Sequence, residues 1–278
     1  MTTMKSGKQW LNTAAACVQG ASHVKNNLPC QDALKIDNTG EYCIIAVSDG
    51  HGSDRCKYSA EGAQFAVDVA CDILSNILKE KDTAYGTISA NRDIWLPKQI
   101  EKKWKSAVEK IHEGREEAFD CLLYGATLLA LAVTKDFIFA LQLGDGDILS
   151  VDEGDGGEPL VDWFIPPDER IGNETDSLCQ DSCWQYMRSR LIHKEQGYMP
   201  AMFLMSTDGY SNSFNTGEGF KKAGADFYNM WVSYGLKYIH ENLEGWLIES
   251  STKGSGDDIA MALICNRRSV DLINDLLT

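Results

Sequence analysis

The hydrophobic pattern switches between two periods along the chain. Short apolar runs closed by glycine, asparagine or aspartate read as strands. They fall at Asn12–Gln19, Gln31–Asp37, Ile44–Ser48, Ala126–Val133, Phe137–Leu143, Ile148–Val151, Ala201–Ser206 and Ile259–Cys265. Asn38-Thr39-Gly40 and Thr134-Lys135-Asp136 turn two of these pairs into hairpins, the second buried on both faces. Between the hairpins the period lengthens. Ala63, Ala66, Val67, Ala70, Ile73, Leu74, Ile77 and Leu78 share one helical face over Ser59–Leu78, and Ile100, Trp104, Val108 and Ile111 share another after Pro97. The aromatic-rich stretch 210–253 also reads as helical, and is expected to be a lid or flap. Residues 20–29 and 80–97 read as loop, and 166–200, rich in turn formers, predicts no element. Repeated strand–turn–strand order excludes strict β/α alternation and points to mainly antiparallel sheets. With no repeat or linker, residues 1–278 are expected to form one domain.

Charge narrows the function. Acidic residues number 41 against 26 basic ones, a formal net charge of -15. Such a field repels nucleic acid and anionic membrane surfaces and attracts cations. No apolar run approaches the ~20 residues of a membrane helix. Lys5 and Lys8 precede the Leu11–Val18 run, but Asn12 and Thr13 interrupt it, so a strand is expected rather than a signal peptide. The nine cysteines, an odd number, suit reduced thiols and a cytoplasmic location. Cys179 and Cys183 lack the further ligands of a zinc site.

Four aspartates recur in one setting. Asp49 and Asp208 each precede a glycine at a strand end. Asp145 lies between glycines after a strand, and Asp257 follows a glycine before one. Each alone is equally a turn former. Together, on the rim of a sheet, they would repel one another unless hard divalent cations such as Mn²⁺ or Mg²⁺ neutralised them. A calcium loop starting at Asp145 fails, because Ser150 occupies its glycine position. The Gly144–Asp147 run lacks the lysine of a phosphate-binding loop, and no Gly-x-Ser-x-Gly elbow is present.

Asp49-Gly50-His51-Gly52, Gly125-Ala126-Thr127, Gly144-Asp145-Gly146, Ser206-Thr207-Asp208-Gly209 and Gly256-Asp257-Asp258-Ile259 occur in that order. In this the chain resembles the metal-dependent protein phosphatases of type 2C over about residues 14–265, and in Ser22-His23 and Pro29-Cys30-Gln31-Asp32 it resembles a bacterial variant branch of them. The resemblance implies an α+β fold, a four-layer α-β-β-α sandwich with a binuclear metal centre at one end. It implies Mn²⁺ or Mg²⁺ held by Asp49, the Gly50 carbonyl, Asp208 and Asp257, with Asp145 and Asp208 at a third, weaker site. It gives His51 the role of general acid and Asp32 that of an outer carboxylate orienting water.

Three departures stand out. Gln31-Asp32 replaces the family's Glu-Asp pair, Asn27 falls where its phosphate-gripping arginine would be, and Asp258 conservatively replaces its usual Asn. His23, Lys25 and Arg55 are the candidates to hold phosphate instead. The implied activity is hydrolysis of phosphoserine or phosphothreonine in a phosphoprotein, by a metal-activated water, opposite a Ser/Thr kinase. The alternative is a non-catalytic phosphatase-like module that binds phosphoprotein or scaffolds a partner. Oligomeric state, physiological substrate and the choice between Mn²⁺ and Mg²⁺ stay open.

Overall fold

The computed structural model describes residues 10–167, 175–194 and 198–266. Strands β1 (Leu11–Val18), β2 (Ala33–Asn38), β3 (Tyr42–Ser48), β4 (Leu128–Thr134) and β5 (Phe137–Leu143) fall where the apolar runs place them. So do β6 (Asp147–Glu153), β9 (Met202–Ser206) and β10 (Ile259–Asn266). The edge strands β7 (Pro159–Trp163) and β8 (Arg188–His193) complete two antiparallel sheets, ordered β1-β10-β9-β6-β7 and β2-β3-β4-β5-β8.

Period-2 alternation divides the core. In β3, Cys43, Ile45 and Val47 point between the sheets, where they meet Leu129, Leu131, Ile138, Ile148, Phe203 and Ala262. Ile44 and Ala46 face the helices α2 (Ser59–Lys79) and α4 (Trp95–His112), whose apolar stripes cover the sheet. Both faces of β3, β4 and β5 are therefore buried, which accounts for their unbroken apolar runs. Trp104, fully buried, donates from its indole nitrogen to the Gly62 carbonyl (2.8 Å) and fixes α4 on α2. Pro97 lies in the first turn of α4, where an N–H has no helical partner to lose.

The other sheet is covered by α6 (Gly217–Lys253), which continues through non-helical backbone at Gly235 (φ 79°). Phe220, Phe227, Trp231, Ile239, Leu243 and Leu247 of α6 pack on Ala14, Leu149, Leu204 and Met261. The stretch expected to be a flap is thus the second outer layer, because its aromatic residues are the core of that half. The result is a four-layer α-β-β-α sandwich.

Three further expectations are corrected. Residues 81–91 form α3 (Lys81–Asn91), with only Ala84 and Ile88 buried, too sparse a stripe to show in the hydrophobic pattern. Residues 21–26 form a short helix, α1 (Ala21–Asn26), ended by Asn27 in the left-handed region (φ 53°). Within 166–200, β8 pairs with β5, its half-exposed side chains giving no apolar run. Part of that stretch, with the chain ends, lies outside the described residues. No helix among the described residues is long and apolar enough to cross a membrane.

Candidate metal centre

Antiparallel register gathers the motifs at one end of the sandwich. Ala33 pairs with Ser48, Val47 with Leu129 and Leu128 with Leu143, bringing together Asp32, Asp49 and the turn after β5. In the other sheet Ser206 pairs with both Asp147 and Met261, and Val18 with Ile259. Asp145 lies where the chain leaves one sheet for the other, between β5 and β6. Asp208 opens the short helix α5 (Asp208–Ser211) that follows β9.

The Asp49 turn is fixed by Thr127. Ser48 Oγ donates to the Thr127 carbonyl (2.6 Å), Thr127 Oγ1 accepts from the Asp49 N–H (2.9 Å), and the Thr127 N–H donates to the Asp49 carbonyl (2.8 Å). Gly50 sits under two backbones: a Cβ there would lie 2.6 Å from the Gln31 carbonyl and 2.7 Å from that of Ser59. Its pairing with Ala126 and the His51 N–H bond to the Gly125 carbonyl (3.1 Å) carry the turn onto the Gly125-Ala126-Thr127 motif.

Carboxylate oxygens of Asp49, Asp145 and Asp208 lie within 4.8 Å of one another. Burial and the charges of Asp208, Asp257 and Asp145 push the Asp49 carboxyl well above its ordinary value. Burial, then Asp145 and Asp257, push Asp208 up to about 7. Converging, mutually repelling carboxylates are the donor set a hard divalent cation satisfies, so these residues fit the implied metal. Asp257 stands beside this trio rather than in it. It is exposed, and its Oδ1 accepts the neighbouring Asp258 N–H (2.8 Å).

The remaining sequence candidates separate. Asp32 reaches across the sheets: its Oδ2 accepts from Thr207 Oγ1 (2.6 Å) and the Ala260 N–H (2.9 Å). Burial and then Asp49 raise its carboxyl well above the ordinary range. The His51 ring packs on Gly125, where a Cβ would lie 2.7 Å from Cδ2. Burial lowers its pKa, and nearby Asp145 opposes that. His23 is buried, with Nδ1 2.7 Å from Asp258 Oδ2. Its Nε2 lies 3.9 Å from where a Gly52 Cβ would be, so that nitrogen borders the Asp49–Gly52 turn. Lys25 and Arg55 are exposed, on α1 and on the loop after Gly52.

Asp258 is the residue whose weight the sequence did not disclose. Its carboxylate also accepts from the Gly20 and Gln31 N–H groups, both at 2.6 Å. Asp147 was likewise unmarked; Trp163 Nε1 donates to it (3.0 Å). Thr175 Oγ1 donates to Asp145 Oδ2 (2.6 Å), from a stretch that carried no signal.

Two helix-flanked antiparallel sheets with carboxylates converging at one end are the fold of the type 2C phosphatases. The chain belongs to the protein phosphatase 2C family, whose profile matches residues 19–248. Solved structures share the fold at low identity. A bacterial serine phosphatase is 13% identical, covering 92% of this chain and 98% of its own, with TM-score 0.60. A C. elegans sex determining protein is 15% identical, covering 92% of this chain and 64% of its own, with TM-score 0.62. RsbX in complex with magnesium is 14% identical, covering 95% and 99%, with TM-score 0.54. No curated protein matches the chain.

Proposed function

We propose that this protein is a phosphoprotein phosphatase, acting on phosphoserine or phosphothreonine. The observation that carries this reading is the convergence of Asp49, Asp145 and Asp208 beside His51. Asp49, the Gly50 carbonyl, Asp208 and Asp257 would hold the metal ions, Mn²⁺ or Mg²⁺, with Asp145 and Asp208 at a weaker third site. Bound there, the ions would supply Lewis-acid charge and activate water for attack on phosphorus. RsbX was solved with magnesium, which supports the metal class.

The chain's own residues divide the remaining work. Asp32 orients water from the sheet interface, held by Thr207 and Ala260. His51, at the mouth of the turn, delivers a proton to the leaving serine or threonine oxygen. Its burial makes it a stronger proton donor once charged. His23 Nε2 borders the same turn and grips a phosphate oxygen in place of the missing arginine, with Arg55 and Lys25 guiding the phosphopeptide from the exposed rim. The acidic protein works in the cytoplasm, opposite a Ser/Thr kinase.

Hydrolysis of an aryl phosphate with Mn²⁺, with and without chelator, tests the reading. Metal-dependent turnover that is slowed in His51→Ala is the expected result. Metal binding without turnover would leave the phosphoprotein-binding module in its place.

A further inference from the structure

Cys17 and Cys30 face each other across the base of the loop that carries α1, with Sγ atoms 3.8 Å apart. All nine cysteines are free, and Cys17 is the exposed one among them. Cys30 is half-buried, in irregular backbone ahead of β2. Besides each other, the two thiols meet backbone carbonyls at long range, and the Asp258 carboxylate also acts on Cys30. Asp32 O lies 3.5 Å from Cys17 and 3.8 Å from Cys30, and Val18 O lies 3.6 Å from Cys30. A disulfide has sulfurs about 2.05 Å apart, so the gap closes by less than ~2 Å. Side-chain rotation with a small shift of the irregular Cys30 segment accomplishes that.

The position matters as much as the distance. Gly20 and Gln31, just inside and just beyond the two cysteines, both donate to Asp258, as does His23 between them. With the Ala21 N–H bond to Ser251 Oγ (3.0 Å) and the Ser22 N–H bond to the Gly256 carbonyl (2.8 Å), those three hydrogen bonds attach the loop to the rest of the molecule at this end. A covalent link from Cys17 to Cys30 would close the same loop from outside.

We propose that Cys17 and Cys30 are a reversible thiol–disulfide pair, oxidised by low-molecular-weight disulfides, whose bond clasps the base of the His23 loop. Either sulfur can open the exchange, because the other stands 3.8 Å away to resolve it. Where Cys30 opens it, its thiolate attacks one sulfur of the small disulfide; that S–S bond breaks and one small thiolate leaves. Cys17, deprotonated, attacks the Cys30 sulfur of the mixed disulfide and releases the second small thiolate. Two protein thiols are oxidised, one small disulfide is reduced to two thiols, and the two protein protons pass to the leaving thiolates. Excess small thiol runs the sequence backwards. Cross-linking a loop of this kind restricts the unfolded chain and stabilises the native state.

The test exposes the full-length protein to oxidised glutathione, blocks remaining thiols by alkylation and maps peptides without reduction. The expected result is a Cys17–Cys30 cross-link, two thiols lost of nine, reversal by dithiothreitol and a melting temperature raised by several degrees. Cys17→Ser should leave glutathione trapped on Cys30. A stable glutathione adduct in wild type with no cross-link, a cross-link between other cysteines, or nine intact thiols would overturn the pair. An unchanged or lower melting temperature in the cross-linked protein would overturn the clasp. These readouts do not depend on phosphatase activity, and the wild-type cross-link does not depend on a variant folding.

Discussion

Nδ1 of His23 donates a 2.7 Å hydrogen bond to Oδ2 of Asp258, with both side chains buried. The same oxygen accepts the Gln31 N–H (2.6 Å), and Oδ1 accepts that of Gly20 (2.6 Å). One carboxylate just ahead of β10 therefore helps to set the path of the loop that brings His23 to the end where the carboxylates converge. Asp258→Asn places an amide donor against donors. His23 can answer by changing tautomer; the two backbone N–H groups cannot. A buried unsatisfied donor costs about 1–3 kcal/mol, so urea unfolding should show a loss of that size. Asp257→Asn, at an exposed neighbour, should change metal-free stability far less. Equal effects would mean that Asp258 is not the anchor of the loop.

The carboxylates also predict how metal-free stability follows pH. Burial, then Asp145 and Asp257, push the Asp208 carboxyl up to about 7 in the fold from 3.8, and Asp49 and Asp32 are raised in the same direction. A raised acid means that the native state binds more protons across that interval, so stability falls as pH rises from 3.8 to about 7. In chelator, thermal unfolding should give a lower midpoint at neutral pH than at mildly acidic pH. Asp208→Asn should flatten this slope, and saturating Mn²⁺, which needs the ionised carboxylates, should remove or reverse it. A slope that Asp208→Asn leaves intact would place its origin elsewhere.

His51 and Gly125 are predicted to act as a unit. General-acid catalysis is worth about 10²–10⁴-fold, so His51→Ala should lose activity on that scale. The loss should be greater for alkyl phosphates than for aryl phosphates, whose leaving groups need less protonation. Gly125→Ala keeps the imidazole but puts a Cβ 2.7 Å from its Cδ2. The ring must move, and the variant should reproduce the same substrate-dependent loss while Mn²⁺ affinity, measured by calorimetry, holds. Equal losses on both substrates would assign His51 to packing or positioning instead.

How much of this was legible beforehand depended on the kind of signal. Strands buried on both faces, such as β3 and β4, announce themselves as unbroken apolar runs. Aspartates followed by glycine mark the rim, because turns there need both. Elements with sparse burial were silent: α3 buries Ala84 and Ile88 alone, and β8 is half-exposed along its length. The stretch 210–253 was legible as helix but not as core, since an aromatic stripe reads alike on a lid and on a packed layer. At the site, Asp49, Asp145 and Asp208 could be named from local grammar. Asp258 could not, because its three donors come from a loop more than 220 positions away in sequence.

Asp49 carries the last and most exposed prediction. It lies in the carboxylate trio and is acted on by Asp208, Asp257 and Asp145 together. Asp49→Asn keeps the size and the Thr127 hydrogen bonds, which use the backbone of residue 49. It exchanges two charged oxygens for one neutral carbonyl and an amide. Removing one like charge from a buried cluster relieves repulsion, so the metal-free variant should melt above wild type in chelator. Saturating Mn²⁺ should then raise the wild-type midpoint and leave that of the variant almost unmoved, because a ligand bound only by the native state stabilises in proportion to its affinity. Turnover should fall to near background, further than in Asp257→Asn, whose exposed carboxylate water can partly replace. If residue 49 merely serves its turn, asparagine does so equally well; metal response and turnover would both stay near wild type, and the centre assigned to Asp49 would have to be given up.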